Sequence, residues 1–443
     1  MEMLYRILEY VNYFFIGVAS IGFVFQVIYI AFFWLKPKHF PKAKTIRKFG
    51  IIIAARNEED VIGRTVSHIV NELNYPKDAY DLFVIAHNCT DQTAAVAKAA
   101  GAEVLVLNDS DPHHAKVAYP MARGIQELLS RGGYDIMIRF DADNLPHPDY
   151  LARMNDAFEA GVKIARGFEA SSNLNQNAWT KVSGTYYIRD SRIACNFRER
   201  AHLDSMLTSA GLACSMEVLA KCGGWDCFET SEDVEFTFKR MMDGYRIHYV
   251  ADAILYEDQP SSFKDNYARL TRMGHGLNSI FWKKGWIFLA HFFKTGRFSF
   301  IDLFMQVFFI PVALVCCVWF PSYYIFYCII HLINAFGPEF MGSFITSGES
   351  IATLVELGFL ILYVLVAYYL GYALQTWLAV LLSKKTLGLK SLKGYWTGIF
   401  LSPAFMIVWA ICISIGILTR AGWKKVKRNP GTAVPLIDER KDQ

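Results

Sequence analysis

Ile136-Met137-Ile138, followed by Phe140-Asp141-Ala142-Asp143-Asn144, is the stretch on which the reading of this chain turns. The apolar run is short enough for a buried strand, and the two acids beyond it predict a tight turn at the strand's carboxyl end. Carboxylates at i and i+2 in such a turn can face a ribose with one group and a divalent ion with the other. A departing diphosphate needs that ion to offset its charge. Acidic turns are common, so the pattern alone is weak. Its place at a strand end strengthens it, because in largely parallel sheets ligands bind beyond the carboxyl ends.

Working outward, Gly50-Ile51-Ile52-Ile53, Leu82-Phe83-Val84-Ile85 and Val104-Leu105-Val106-Leu107 are runs of the same kind. They alternate with helical stretches over Asp60–Leu73 and Gln92–Ala100. Short apolar strands separated by helices predict an α/β domain over 49–276 with a mixed, mostly parallel sheet.

Further out the composition changes. Of the 443 residues 53% are hydrophobic, too many for an ordinary soluble enzyme, and 19% are charged, too many for a chain that is all membrane. Apolar residues run from Val11 to Leu35, about the length that crosses a bilayer, and Lys36, Lys38, Lys42, Lys44, Arg47 and Lys48 follow. Residues 1–48 therefore read as a retained anchor with a basic linker, and the positive-inside rule puts the next domain in the cytoplasm. Over 277–300, Trp282, Trp286, Phe288, Phe292 and Phe293 are interleaved with Lys283, Lys284 and Lys294, as in helices lying in a membrane interface. Residues 301–420 hold three apolar stretches, Ile301–Phe336, Ile351–Ser383 and Tyr395–Leu418. The link Gly337–Ser350 has no Lys or Arg and reads as outside, whereas Lys384–Lys393 has four Lys and reads as inside. The basic tail, 421–443, reads as cytoplasmic too. For that, either the first stretch is two spans, broken near Pro311 or Pro321, or the last turns back near Pro403. Asp302, Glu356 and Gln375 lie within apolar stretches, where such residues by default face a bundle interior or a pathway. A multi-pass plasma-membrane protein is expected, of the bacterial kind.

Net charge is +4 with no long basic block, which argues against nucleic acid as a partner. The nine cysteines form no CxxC pair, and Cys222 and Cys227 lack the further ligands of a zinc pattern. Asn88-Cys89-Thr90 is a glycosylation sequon in form only, if the loop is cytoplasmic.

Two further clusters can carry chemistry. Ser231-Glu232-Asp233 opens a predicted helix after the Gly223-Gly224-Trp225 turn. It reads as an N-cap with acids that suit the helix dipole, or as a general base poised to take a proton from an acceptor hydroxyl. Arg269-Leu270-Thr271-Arg272-Met273 puts two cations on one helix face, suited to lipid head groups or to a diphosphate leaving group. Lys116 is another candidate cation, while His113 and His114 read as surface residues.

Taken in order, these motifs resemble the membrane-integrated branch of glycosyltransferase family 2, whose members include cellulose, hyaluronan, chitin and poly-N-acetylglucosamine synthases and ceramide glucosyltransferase. The series is Ala54-Ala55-Arg56-Asn57-Glu58, Asn88-Cys89-Thr90-Asp91, Lys116, Asp141-Ala142-Asp143, Gly223-Gly224-Trp225, Ser231-Glu232-Asp233, and Arg269 with Arg272. The resemblance implies a GT-A fold and an inverting transfer from a UDP-sugar, dependent on Mn²⁺ or Mg²⁺. It implies Asp143 on the metal, Asp233 as base with Glu232 beside it, and Ala54, Arg56, Glu58, His87, Asn88, Asp91, Lys116, Asp141, Arg269 and Arg272 around the nucleotide-sugar. Gly224, Trp225 and Met273 would meet the acceptor. Two departures stand out. His87 occupies a position where the family often has Asp for uracil, and Arg269–Met273 lacks the Gln and Trp of the family's QxxRW. Met is a poorer platform for an acceptor sugar than Trp, so Trp225 is expected to supply the stacking face. The expected product is a growing β-linked glycan. The alternatives are transfer of one sugar to a membrane lipid (a diacylglycerol, ceramide-like or polyprenyl-phosphate acceptor), or an inactive membrane scaffold.

Overall fold

The computed structural model describes residues 2–337 and 345–419, so the tail 421–443 and the centre of the 337–350 link lie outside the described residues. Helix α1 (Glu2–Ala31) leads into β1 (Phe49–Ala55), α2 (Glu59–Glu72), β2 (Tyr80–His87), α3 (Thr93–Ala99), β3 (Glu103–Leu107), α4 (Ala118–Arg131) and β4 (Ile136–Phe140). Then come β5 (Leu145–Pro146), α5 (Tyr150–Glu159), β6 (Ile164–Ser171), α6 (Ala178–Arg189) and α7 (Asn196–Arg200), the last two joined by a π-helical turn. The domain closes with β7 (Ala213–Ser215), α8 (Met216–Lys221), α9 (Glu232–Met242), β8 (Ile247–Glu257) and α10 (Phe263–Ile280). Another π-helical turn passes into α11 (Trp286–Thr295), followed by α12 (Ser299–Phe336), α13 (Ser347–Leu382) and α14 (Trp396–Leu418).

The eight strands form one sheet in the order β3-β2-β1-β4-β7-β6-β8-β5. Pairs β1–β2, β1–β4, β2–β3 and β6–β8 are parallel, while β7 and β5 pair antiparallel with their neighbours. Phe49, Ile51 and Ile53 of β1 pack with α2, and Ile52 between them packs with α4 on the other face. Side chains alternate across a strand, and both faces are covered, which is why the strands read as unbroken apolar runs. Ile53 stands beside Val84 and Phe140 in the register, so β1, β2 and β4 end level and Arg56, His87 and Asp141 leave along one edge. On the other half of the sheet the β6–β8 pairing shifts register between Gly167 and Phe168. Only glycine fits at 167, because a Cβ there would run into the Ala253 carbonyl oxygen.

The α4-side core continues past the α/β domain. Phe281, Phe288, Phe300, Leu303 and Phe304 are buried in it, whereas Trp282, Trp286 and Phe293 of the same segment are exposed. The segment is amphipathic as expected, and its apolar side completes the domain's own core.

Among the described residues, Leu314–Phe336, Ser347–Leu382 and Lys393–Leu418 are long and apolar enough to cross a membrane. The first apolar stretch is neither broken nor doubled: Pro311 and Pro321 both lie inside α12, which runs for 38 residues. Nor does the last turn back at Pro403, which lies inside α14. Helix α14 lies along α6 and α10 of the α/β domain. Contact is backbone to backbone, since a Cβ at Gly274 would strike the Ile413 carbonyl and one at Gly416 the Thr271 carbonyl. Helix α1 packs on α12. There Asp302 is buried, accepting from Arg198 Nε at 2.8 Å and from the Tyr29 hydroxyl, so α1, α7 and α12 share one ion-paired joint. Asp302 thus ties elements together rather than lining a pathway, and Glu356 is exposed on α13 rather than turned to a bundle interior.

Candidate active site

The ends of β1 and β2 open onto a small cavity lined by Ala54, Ala55, Arg56, His87, Ala115, Lys116, Val117 and Pro120. The loops that frame it leave their strands through left-handed residues, Asn57 (φ 56°) and Asn88 (φ 49°), a conformation Asn tolerates better than most side chains. They are stitched together by short hydrogen bonds. The Thr90 N–H donates to Asn57 Oδ1 at 2.8 Å, the Glu58 N–H to Thr93 Oγ1 at 2.8 Å, and the Thr93 N–H to Asp91 Oδ1 at 3.0 Å. Glu58, Asn88 and Asp91 stand in these framing loops, outside the cavity's lining. Lys116 is anchored at the rim by donating to the Phe228 carbonyl at 3.0 Å.

Next along the edge is the acidic turn. The Asp141 N–H donates to Asn144 Oδ1 at 2.9 Å and the Thr65 hydroxyl to the Ala142 carbonyl at 2.7 Å, which fixes the turn over α2. Asp143 is buried, and Asp141 is partly open. Beneath them lies Arg139, 2% exposed, whose guanidinium donates to Glu232 Oε1 at 2.6 Å and to Asp141 Oδ1 at 3.3 Å. One buried cation thus ties the strand-end turn to the first turn of α9. Ser231 makes no side-chain cap; Asp233 Oδ1 accepts from the Val234 N–H at 2.8 Å instead. Burial and the neighbouring Glu232 charge raise the Asp233 carboxyl to about 7, against the pull of Arg139.

Helix α10 brings the cations. Gly276 lets it approach Ser231 at the start of α9, where a Cβ would strike the Ser231 hydroxyl. Arg272 makes no hydrogen bond or ion pair among the described residues. Burial and Arg269 press its proton affinity down, opposed by Glu232, Asp141 and Asp233. Arg269 is engaged: it donates to Gln259 Oε1 at 3.1 Å and to the Tyr187 hydroxyl, lies over the Tyr187 ring, and sits 3.8 Å from Glu257. Burial, Glu169 and Asp141 raise Glu257 to about 7, Arg269 opposing. Neither Arg139 nor Glu257 stood out in the sequence. The available signal was a lone arginine in the apolar strand Ile136–Phe140, since a buried arginine has to find carboxylates.

Trp225 does not offer the stacking face expected of it. It is 6% exposed, its ring lies 4.7 Å from Phe236 at 10°, and its indole N–H donates to the Cys227 carbonyl at 2.7 Å. Gly224, at φ 107°, faces α4 rather than an acceptor cleft. Met273 packs with Leu270 against Cys412 and Ile413 of α14. The Gly-Gly turn points Trp225 inward, and the α10–α14 contact leaves Met273 half-buried.

The residues fit a divalent ion in one way. Among the described residues no three His, Cys, Asp or Glu side chains converge as a metal cage. Mg²⁺ and similar ions are often held by one or two carboxylates plus substrate phosphates and water, which is what Asp141 and Asp143 can offer.

The description "Glycosyltransferase like family 2" matches residues 47–276, just over half of the chain. The chain belongs to that family. With the protein named Probable glycosyltransferase YdaM of Bacillus subtilis (strain 168) it shares 27% identity over 277 residues, 60% of this chain and 63% of the relative. With the β-monoglucosyldiacylglycerol synthase of Nostoc sp. (strain PCC 7120) it shares 25% over 240 residues, 52% of this chain and 48% of the relative. With the poly-β-1,6-N-acetyl-D-glucosamine synthase of Staphylococcus aureus (strain MSSA476) it shares 22% over 261 residues, 58% and 59%. These matches span less than two thirds of each relative's length. In fold it is similar to the mannosyltransferase PcManGT from Pyrobaculum calidifontis, solved in complex with GDP-Man and Mn²⁺: TM-score 0.56, 15% identity, 91% of this chain and 97% of that one. The α/β domain is thus a GT-A-like glycosyltransferase domain with helices behind it that can span a membrane.

Proposed function

We propose that this transferase is membrane-bound, with its α/β domain in the cytoplasm, and moves one sugar from a nucleoside-diphosphate sugar to a membrane-lipid hydroxyl with inversion. The observation that carries the reading is the meeting, on one sheet edge, of the acidic turn, the raised acid Asp233 and the uncommitted Arg272. Asp233 takes the proton of the acceptor hydroxyl, whose oxygen attacks the anomeric carbon from the face opposite the diphosphate. The bond from that carbon to the diphosphate oxygen breaks, and an α-linked donor gives a β-linked product. Arg272 meets the charge that gathers on the leaving diphosphate. Asp143, with Asp141, would hold Mn²⁺ or Mg²⁺, which when bound neutralises diphosphate charge. Arg139 is paired with Glu232 at 2.6 Å and makes no hydrogen bond to Asp233, which leaves Asp233 as the acid that exchanges its proton.

The acceptor is the finer question. Burial of Trp225 and the packing of half-buried Met273 against α14 withdraw the two side chains expected to support a growing glycan, which favours single transfer to a lipid over chain extension. Relatives named as β-monoglucosyldiacylglycerol synthases support the same side, whereas those named as poly-β-1,6-N-acetyl-D-glucosamine synthases keep extension as the rival. Membranes containing the protein, incubated with a panel of radiolabelled UDP-sugars and Mn²⁺, decide it. One sugar on an organic-extractable lipid is expected, and a product of many sugars would overturn this choice of acceptor.

A further inference from the structure

The cavity at the ends of β1 and β2 has an unusual wall. Its three polar side chains, Arg56, Lys116 and His87, are nitrogen groups, and the rest are Ala, Val and Pro. What His87 can offer follows from its neighbour. The Asn88 amide is fixed by the backbone of Asp109, whose N–H donates to Asn88 Oδ1 at 2.7 Å and whose carbonyl accepts from Asn88 Nδ2 at 2.8 Å. The group 3.3 Å from His87 Nε2 is therefore the Asn88 NH₂, so Nε2 is the ring's acceptor and Nδ1 carries its hydrogen. Burial and Arg56 hold the ring below its ordinary proton affinity, which favours its neutral form. Nδ1 makes no hydrogen bond among the described residues.

We propose that this cavity reads a nucleobase through the base's acceptor atoms, with the His87 Nδ1–H as the reading group, so that uracil and cytosine nucleotides are accepted alike. The inference rests on the nucleotide-sugar reading above and concerns which base that nucleotide carries. Uracil and cytosine share the O2 acceptor. They differ at N3, a donor in uracil and an acceptor in cytosine. A carboxylate at this position would accept the uracil N3–H and repel the cytosine N3. An imidazole N–H donating to O2, which the two bases share, makes no such distinction, and no side chain lining the cavity is an acid.

The test is titration calorimetry of UDP and CDP against the full-length protein in detergent with Mn²⁺, repeated on His87→Asp. The wild type is expected to bind the two nucleotides within tenfold of each other. His87→Asp is expected to shift the UDP/CDP affinity ratio toward UDP by at least tenfold. A wild-type preference for UDP beyond tenfold overturns the proposal, as does a folded variant with an unchanged ratio. The wild-type pair needs no variant, so misfolding of His87→Asp leaves it decidable. If neither nucleotide binds the wild type, this proposal is overturned, and titration of GDP in the same way tells whether the nucleoside-diphosphate-sugar reading falls with it.

Discussion

At the residue scale the account rests on Asp233 acting as a base. Its carboxyl sits near 7, so it loses its proton, and gains its function, as pH rises through that value. Transfer measured as kcat/KM is expected to climb with pH to a plateau above about 7. Asp233→Asn should lower transfer by about 10²–10⁴-fold while keeping nucleotide binding; if binding falls with it, Asp233 is a ligand or a structural acid instead. Arg139 gives an independent handle, because its charge holds Asp233 down. Arg139→Gln should move the acidic limb of the pH profile upward, and Arg139→Lys should largely restore it. A limb that stays put in a folded Arg139→Gln protein would remove Arg139 from the electrostatics of the site. The places of the acids were legible in the sequence, as a turn just beyond the strand Ile136–Phe140 and as the first turn of the helix Glu232–Met242. Arg139 was not, since its partners Asp141 and Glu232 are brought to it by different elements. Trp225 was misread for a related reason: a Gly-Gly-Trp turn does not say which way the indole points.

At the scale of elements, the strands declared themselves through apolar runs, and the level ends of β1, β2 and β4 follow from their parallel register. What no local pattern announces is the contact of α14 with α10, the helix that carries Arg272. Gly274 and Gly416 look like ordinary glycines in apolar or mixed helices, yet each lies against a carbonyl of the other helix. Gly416→Ala should force the helices apart, cost about 1–3 kcal/mol by overpacking and reduce transfer. Gly358→Ala on α13, where a Cβ meets nothing, should do neither. Thermal unfolding in detergent together with activity checks the pair. The Arg198–Asp302 joint belongs to this scale too. Asp302→Ala leaves a buried arginine unpaired and should cost about 3–5 kcal/mol, whereas Arg198→Met with Asp302→Leu should cost less. Equal losses would mean that the joint acts by packing alone.

At the scale of the whole molecule, hydropathy foretold helices behind the α/β domain that are long and apolar enough to cross a membrane, but not whether their prolines break them. Pro311, Pro321 and Pro403 suggested breaks, yet each lies inside a continuous helix, where neighbouring groups can make up for the lost hydrogen bond. If α12, α13 and α14 each cross a membrane once, Lys385 lies on the side of the α/β domain and Thr419 on the other. Labelling of Lys385→Cys and Thr419→Cys in sealed, right-side-out vesicles should modify only the second; the reverse pattern would invert the orientation. The central claim, that this edge of the sheet transfers a sugar by base-assisted displacement, is tested most directly by release of nucleoside diphosphate from a UDP-sugar by the purified protein in lipid-containing micelles, with Asp233→Asn alongside. The account predicts acceptor-dependent release by the wild type and its near-complete loss in a variant that still binds the donor. Equal release from both proteins would contradict it.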